Sequence, residues 1–182
     1  IMVEVMKELP GVTFNRLDLP WQGILPGLDA GKFDYVVTSV TVTGERWDRY
    51  AMSRPIADAT MAVMTLTSTD GVNAPEDIAG LPVGTQSGSV HLTALEAYSE
   101  TLNEPVTIKT YVDYNEAYAD LAAGRIKAVA NSLPNLLEAQ RTRPELFSVV
   151  DGTFGPKKYY AWVARKDADS AALSDFMNAS LK

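Results

Sequence analysis

The chain has 182 residues, a formal net charge of −7 and 46% apolar residues. That is enough apolar material for one ordinary domain or two small lobes, and the acidic balance argues against nucleic acid, which needs a clustered basic surface. With no cysteine and a single histidine, His91, the chain offers neither a disulfide framework nor a thiolate or multi-histidine metal site, so no metal or cofactor is expected.

No apolar run approaches the roughly 20 residues that cross a bilayer. The amino end, "IMVEVMKELPG", reads as an amphipathic helix over 1–9 stopped by Pro10-Gly11, without a basic leader region or a cleavage site. A chain that starts in a helix and without Met is expected to be a trimmed or processed product. Val12 to Leu17 then reads as a short strand. "WQGILPGLDAGKFDYVVTSVTV" continues with a short helix, a Gly-Lys turn and a buried strand from Tyr35 to Val42.

Thr43-Gly44 ends that strand. If Thr43 caps a helix, Arg46 lies in the first turn, where the macrodipole disfavours a cation by about 0.3–1 kcal/mol, so a negative group is expected nearby. Glu45, Asp48 or another surface acid is one source of it, and a bound anion is the other.

A strand is expected from about Thr60 to Leu66, a helical turn at Pro75 to Ile78, a strand at Pro82 to Thr85 and a helix from Val90 to Glu100. Strand Val106 to Tyr111, helix Asn115 to Ala123, strand Ile126 to Ala130 and helix Pro134 to Arg141 follow. The last third holds strands at Phe147 to Val150 and Tyr159 to Ala164, then a helix from about Ser170. Strands separated by helices predict largely parallel sheets covered on both faces. There is no internal repeat and no low-complexity linker, so any division into lobes falls on strands that cross between them.

Three ordered motifs carry a family resemblance. "WQGILPGLDAGKFDYVVTSVTVTGERWDRYAMSRPI", "DIAGLPVGTQSGSV" and "NEAYADLAAGRIKAVANSLPNL" together resemble the bacterial extracellular solute-binding proteins of family 3 over nearly the whole chain. Two parts of the family pattern find no counterpart: a first strand with its turn, and a last helix with an aromatic-rich tail. The resemblance implies a periplasmic-binding-protein type II-like α/β fold. Lobe one would comprise 1–56 plus 160–182 and lobe two 57–159, with hinge strands near 56–60 and 158–160, the two closing on a ligand.

The resemblance also assigns residues. Arg46 would hold the ligand carboxylate, because a guanidinium presents a planar fork of donors that matches it bidentately, with Ser39 and Thr41 beside it. Trp21 would form an aromatic wall against the ligand side chain. Ser87, Gly88 and Ser89, before the helix at Val90, would offer N–H groups and a positive dipole end as a second clamp, although Ser and Gly are also ordinary capping residues. Asn131 and Ser132 occupy the segment where many members carry an aspartate for the ligand ammonium. A neutral hydroxyl there leaves two alternatives: another acid such as Asp113 substitutes, or the ligand lacks a free α-amino group. A second common aspartate is replaced by Arg54. Trp47 and Trp162 read as packing or surface residues, and His91 as an exposed or capping histidine without a catalytic role.

The leading expectation is a non-enzymatic, periplasmic or extracellular binding protein. It would capture an amino acid or related small carboxylate and pass it to the membrane permease of an ABC importer. The expected state is a monomer, with a strand-borrowing dimer as the alternative. The rivals are the sensing domain of a membrane receptor or kinase and a cyclohexadienyl-dehydratase-like enzyme. The enzyme would need a positioned general acid, and no motif singles out Glu45, Asp113 or Glu116 for that role. No nucleophile elbow or phosphate-binding loop is present.

Overall fold

A computed structural model describes Val5, Lys7, Gly11 and residues 13–181. The chain divides into two compact units, the first made of 1–57 with 159–182 and the second of 58–158. Each crossing strand hydrogen-bonds to the other on its own side of the boundary: Ile56 N–H donates to the Tyr160 carbonyl (2.9 Å), and Ala59 N–H to that of Lys158 (2.8 Å).

In unit 1, helix α1 (Trp21–Asp29) is followed by strand β1 (Tyr35–Thr41), the short helix α2 (Gly44–Arg49), strand β2 (Tyr50–Met52) and the boundary strand β3 (Ala57–Asp58). "DAGK" ends α1. Gly31, at φ 67°, donates its N–H to Leu28 O (3.0 Å), and Lys32 N–H reaches Gly27 O (3.0 Å), the paired closure that a glycine in the left-handed region allows. The same device ends a helix of unit 2, where Gly124, at φ 71°, donates to Leu121 O and Arg125 N–H reaches Asp120 O.

Unit 1 is completed by strand β9 (Tyr159–Arg165) and helix α6 (Ala168–Ser180). β9 lies between β1 and β2 and runs antiparallel to both. Its alternation places Ala161 and Val163 against Leu28, Val36, Val40, Tyr50 and Met52, while Trp162 packs with Val5 and Met177 on the opposite face. Arg165 donates to the carbonyls of Leu28 (3.3 Å) and Phe33 (2.9 Å), so a cation sits at the carbonyl end of α1.

Unit 2 holds β4 (Met61–Leu66), a 3₁₀ turn (Pro75–Ile78), β5 (Pro82–Gln86), α3 (Val90–Ser99), β6 (Thr107–Tyr111), α4 (Tyr114–Ala122), β7 (Ala128–Ser132), α5 (Leu133–Thr142) and β8 (Phe147–Val149). The sheet order is β6-β5-β7-β4-β8. Met61, Val63, Ala128 and Ala130 face a core shared with Leu95 of α3. Ala62, Met64 and Val129 face the other, with Ala117, Leu121, Leu136 and Phe147. Apolar side chains on both faces explain why these strands read as continuous hydrophobic runs.

Three expectations differ from the structure. The sheets are mixed: β5 pairs in parallel with β6 and β7, but β4 pairs antiparallel with β7 and β8, and the described pairings of unit 1 with β9 are antiparallel. The seventh strand spans 128–132, not 126–130, because Ile126 enters the core just before pairing begins; its Cδ1 would lie 2.6 Å from a Cβ on Gly84 of β5. Residues 13–17 form no strand: Leu17 is exposed and no described strand pairs with the segment. The helix expected over 1–9 lies mostly outside the described residues, of which Val5 and Lys7 are helical.

Burial pushes the hydroxyl of Tyr35 up to about 12; burial, and then the hydrogen bond and charge of Asp120, do the same for Tyr111. Between the ordinary tyrosine value near 10 and about 12, the folded chain keeps protons that the unfolded chain has released. Stability therefore falls as pH rises through that window. A spectrophotometric titration is expected to show a late tyrosine fraction that moves to the ordinary range in denaturant.

Candidate ligand-binding residues in each unit

In unit 1 the local sequence places Arg46. Thr43 is the N-cap of α2, and its Oγ1 accepts from the Arg46 N–H at 3.2 Å. The side chain folds back so that Nη1 donates to the Thr41 carbonyl at 2.9 Å. The guanidinium carbon lies 5.2 Å from the centre of the Trp21 ring, which brings together two of the residues the motifs single out.

Among the described residues no carboxylate comes within salt-bridge distance of Arg46, whereas Arg49, in the same helix, pairs with Asp29 at 2.6 Å, and Arg165 with Asp167 at 2.9 Å. Burial lowers the Arg46 guanidinium below its ordinary value, opposed by the charges of Glu45 and Tyr50, and an arginine stays cationic regardless. The charge of Glu45 thus acts on Arg46 across a gap wider than a salt bridge, and the close partners of the guanidinium are the Thr41 carbonyl and the Trp21 ring.

Thr41 is buried and Ser39 half-buried, the latter in a stretch of β1 where the register with β9 shifts between Val36 and Val40. Such irregularities re-aim side chains out of the regular alternation. A recess of about 260 Å³ is lined by Leu25, Pro26, Asp29, Glu45, Arg46, Arg49 and Tyr50. It shares only Arg46 with the expected set. Trp47 is exposed, Trp162 is buried, and Arg54 is exposed with its N–H on Asn178 Oδ1.

In unit 2, Ser89 is the N-cap of α3: its Oγ accepts from Leu92 N–H (3.2 Å) and donates to Gln86 O (2.7 Å). Ser87 N–H is committed to the Tyr111 carbonyl at 2.8 Å, so that amide extends the sheet. Gly88 between them has φ 64°, the left-handed turn that lets the strand swing into the helix.

Asn131 is 1% exposed and its amide is spent internally: Oδ1 accepts from Ser132 N–H (2.7 Å) and Asn135 Nδ2 (3.4 Å), and Nδ2 donates to Tyr118 Oη (3.3 Å). It lines a concavity of about 350 Å³ between α4 and α5 together with Tyr114, Tyr118, Asn135, Glu138, Arg143 and Phe147. Ser132, fully buried, is the N-cap of α5. Asp113 caps α4, its Oδ1 accepting from Asn115 N–H at 2.6 Å.

His91 departs from expectation. It is 7% exposed, and its Nδ1 lies 3.1 Å from Tyr114 Oη. Tyr114 itself gave no sequence signal, because its position just after Asp113 reads only as the start of a helix. Among the described residues no cluster of three or more potential metal ligands occurs.

Known proteins share this architecture. The family model for bacterial extracellular solute-binding proteins, family 3, matches residues 1–178. The probable amino-acid-binding protein YxeM of Bacillus subtilis is 31% identical over 133 residues, covering 71% of this chain and 50% of its own. The L-cystine-binding protein TcyJ of Escherichia coli is 29% identical over 127 residues, covering 69% and 46%. The chain thus spans about half the length of the curated relatives it matches.

Among solved structures, an ancestral arginine-binding protein bound to arginine superposes with a TM-score of 0.82 at 26% identity over 99% of this chain and 78% of its own. The arginine-bound, truncated arginine-binding protein of Thermotoga maritima does so with 0.82 at 23% identity, over 98% and 82%. The fold is therefore the periplasmic-binding-protein type II-like α/β fold, and the chain belongs to the bacterial extracellular solute-binding proteins, family 3.

Proposed function

We propose that the protein binds an amino acid or a related small carboxylate outside the cytoplasm and hands it unchanged to the permease of an ABC importer. The observation that carries this reading is Arg46: a half-buried guanidinium, steadied by the Thr41 carbonyl and the Trp21 ring, with no described carboxylate in ion-pair range. A half-buried cation whose close partners are a neutral carbonyl and a ring is less well compensated than one facing a carboxylate, and a ligand carboxylate on its remaining donors offsets that cost. The residues of unit 2 suited to an anion are those around Gly88 at the amino end of α3, where the helix dipole favours negative charge. Relatives named for binding arginine and cystine support the ligand class, and the fact that they are binding proteins supports a role without turnover.

A thermal-shift screen against amino acids, dicarboxylates and ring carboxylates tests this. A ligand held by the folded state alone at about a hundred times its Kd adds about 2.7 kcal/mol of apparent stability. The expected result is a rise in Tm with one carboxylate-bearing amino acid or a small group of them, recovered chemically unaltered. A response confined to compounds without a carboxylate, or conversion of the ligand, would overturn the reading.

A further inference from the structure

The chain's one histidine is enclosed in unit 2 by side chains brought from remote parts of the sequence. Tyr114 Oη, on the first residue of α4, lies 3.1 Å from His91 Nδ1, 3.2 Å from Thr85 Oγ1 and 3.3 Å from the Ala130 carbonyl oxygen. Thr85 is fully buried and His91 nearly so, which makes an unmade bond at either one costly.

A phenol has a single proton to donate, and its oxygen can accept. The carbonyl of Ala130 can only accept, so when all three bonds are made the phenol proton goes there. The Thr85 hydroxyl and the His91 Nδ1–H must then both donate to the phenol oxygen. With those three bonds made, neutral His91 carries its proton on Nδ1.

The three partners of this hydroxyl share a location. Thr85 lies two residues before Ser87, His91 two residues after Ser89, and Ala130 immediately before Asn131 and Ser132. One side chain from α4 therefore ties together the end of β5, the first turn of α3 and the end of β7. We propose that Tyr114 is a positioning residue for ligand binding: acting through Thr85, His91 and Ala130, its hydroxyl sets the geometry of the 87–91 turn and of the β7 end. This rests on the function proposed above, since the 87–91 turn matters to affinity only if it meets a ligand.

The test is Tyr114→Phe, which keeps the ring and removes the hydroxyl, with Tyr118→Phe on the same helix as the neighbouring control. Because the chain has one histidine, long-range ¹H–¹⁵N spectra report its tautomer without ambiguity. The wild type and Tyr118→Phe are expected to show neutral His91 as Nδ1–H, and Tyr114→Phe to shift it toward Nε2–H. Amide exchange at Leu92, whose N–H is held by Ser89, is expected to quicken about tenfold in Tyr114→Phe, the scale of one ordinary hydrogen bond. A wild-type Nε2–H tautomer, or a tautomer that Tyr114→Phe leaves unchanged, would overturn the network.

Calorimetric titrations with L-arginine and L-cystine supply the functional arm. Binding about tenfold weaker in Tyr114→Phe supports the positioning role, and equal affinity in both proteins overturns it. Failure of the wild type to bind these two probes and every other carboxylate of the thermal-shift screen counts against the proposed function, while the histidine spectra still decide the network.

Discussion

Arg46→Ala is expected to abolish the ligand-induced rise in Tm while leaving the unliganded protein folded. Truncating one partner of a desolvated, hydrogen-bonded charge pair costs about 2–5 kcal/mol of binding, or about thirtyfold to several-thousandfold in affinity. The fold depends on this side chain far less. Arg46 contributes one bond to the Thr41 carbonyl and a cation–π contact to Trp21, and the α2 cap uses its backbone N–H, which alanine retains. Arg46→Lys separates charge from geometry. A lysine keeps the positive charge but not the planar fork, so affinity should fall to an intermediate value and the preference for a carboxylate over other anions should weaken. Unchanged calorimetric affinity in Arg46→Ala would remove Arg46 from the site altogether.

The second large effect concerns stability. Phe147 is 1% exposed, packs with Met64, Leu121 and Leu136, and carries the Arg143 guanidinium over its ring at 5.0 Å. Phe147→Ala is expected to destabilise unit 2 by about 3–5 kcal/mol, combining the lost transfer energy with the cavity left behind. Set against a total stability of about 5–15 kcal/mol for an ordinary domain, that leaves the unit marginal. The distribution of tryptophans makes the effect readable, since Trp21, Trp47 and Trp162 all belong to unit 1. In a urea titration of Phe147→Ala, the far-ultraviolet circular dichroism midpoint should fall below that of the wild type. Tryptophan fluorescence that does not follow identifies separate unfolding of the two units, and fluorescence that moves with it identifies one cooperative transition. A dichroism midpoint unchanged from wild type would refute the packing role.

Much of the architecture was legible because its causes are local. The closures at "DAGK" and "AAGR" follow from a glycine placed where a helix must stop. The Thr43 cap and the seating of Arg46 in the first turn of α2 follow from neighbours in the chain. The apolar runs of unit 2 announce strands covered on both faces, and most element boundaries fall within a residue or two of where the periodicity ends. The three motifs were enough to name the family, which the family model then matched.

What the chain's own order could not reveal depends on partners far apart in sequence. Strand direction is one case, because β9 returns from the carboxyl-terminal end to lie antiparallel between β1 and β2, and no property of its own residues specifies those neighbours. The segment 13–17 is another: it has the composition of a strand, but a strand exists only where another supplies its hydrogen bonds. The amide of Asn131, read from the chain as a ligand residue, also meets Tyr118 of α4 and Asn135 of α5, contacts that β7 by itself does not announce. His91 looked exposed because helix starts usually are, and it is buried because Tyr114, from the next helix, closes over it. Most elements, the Thr43 cap and an arginine in a helix's first turn were legible in the chain, since these rest on short-range sterics and hydrogen bonds between neighbouring residues. Tertiary packing alone decided which side chains keep a hydrogen-bonding group to offer a ligand, because that depends on which polar neighbours satisfy it first.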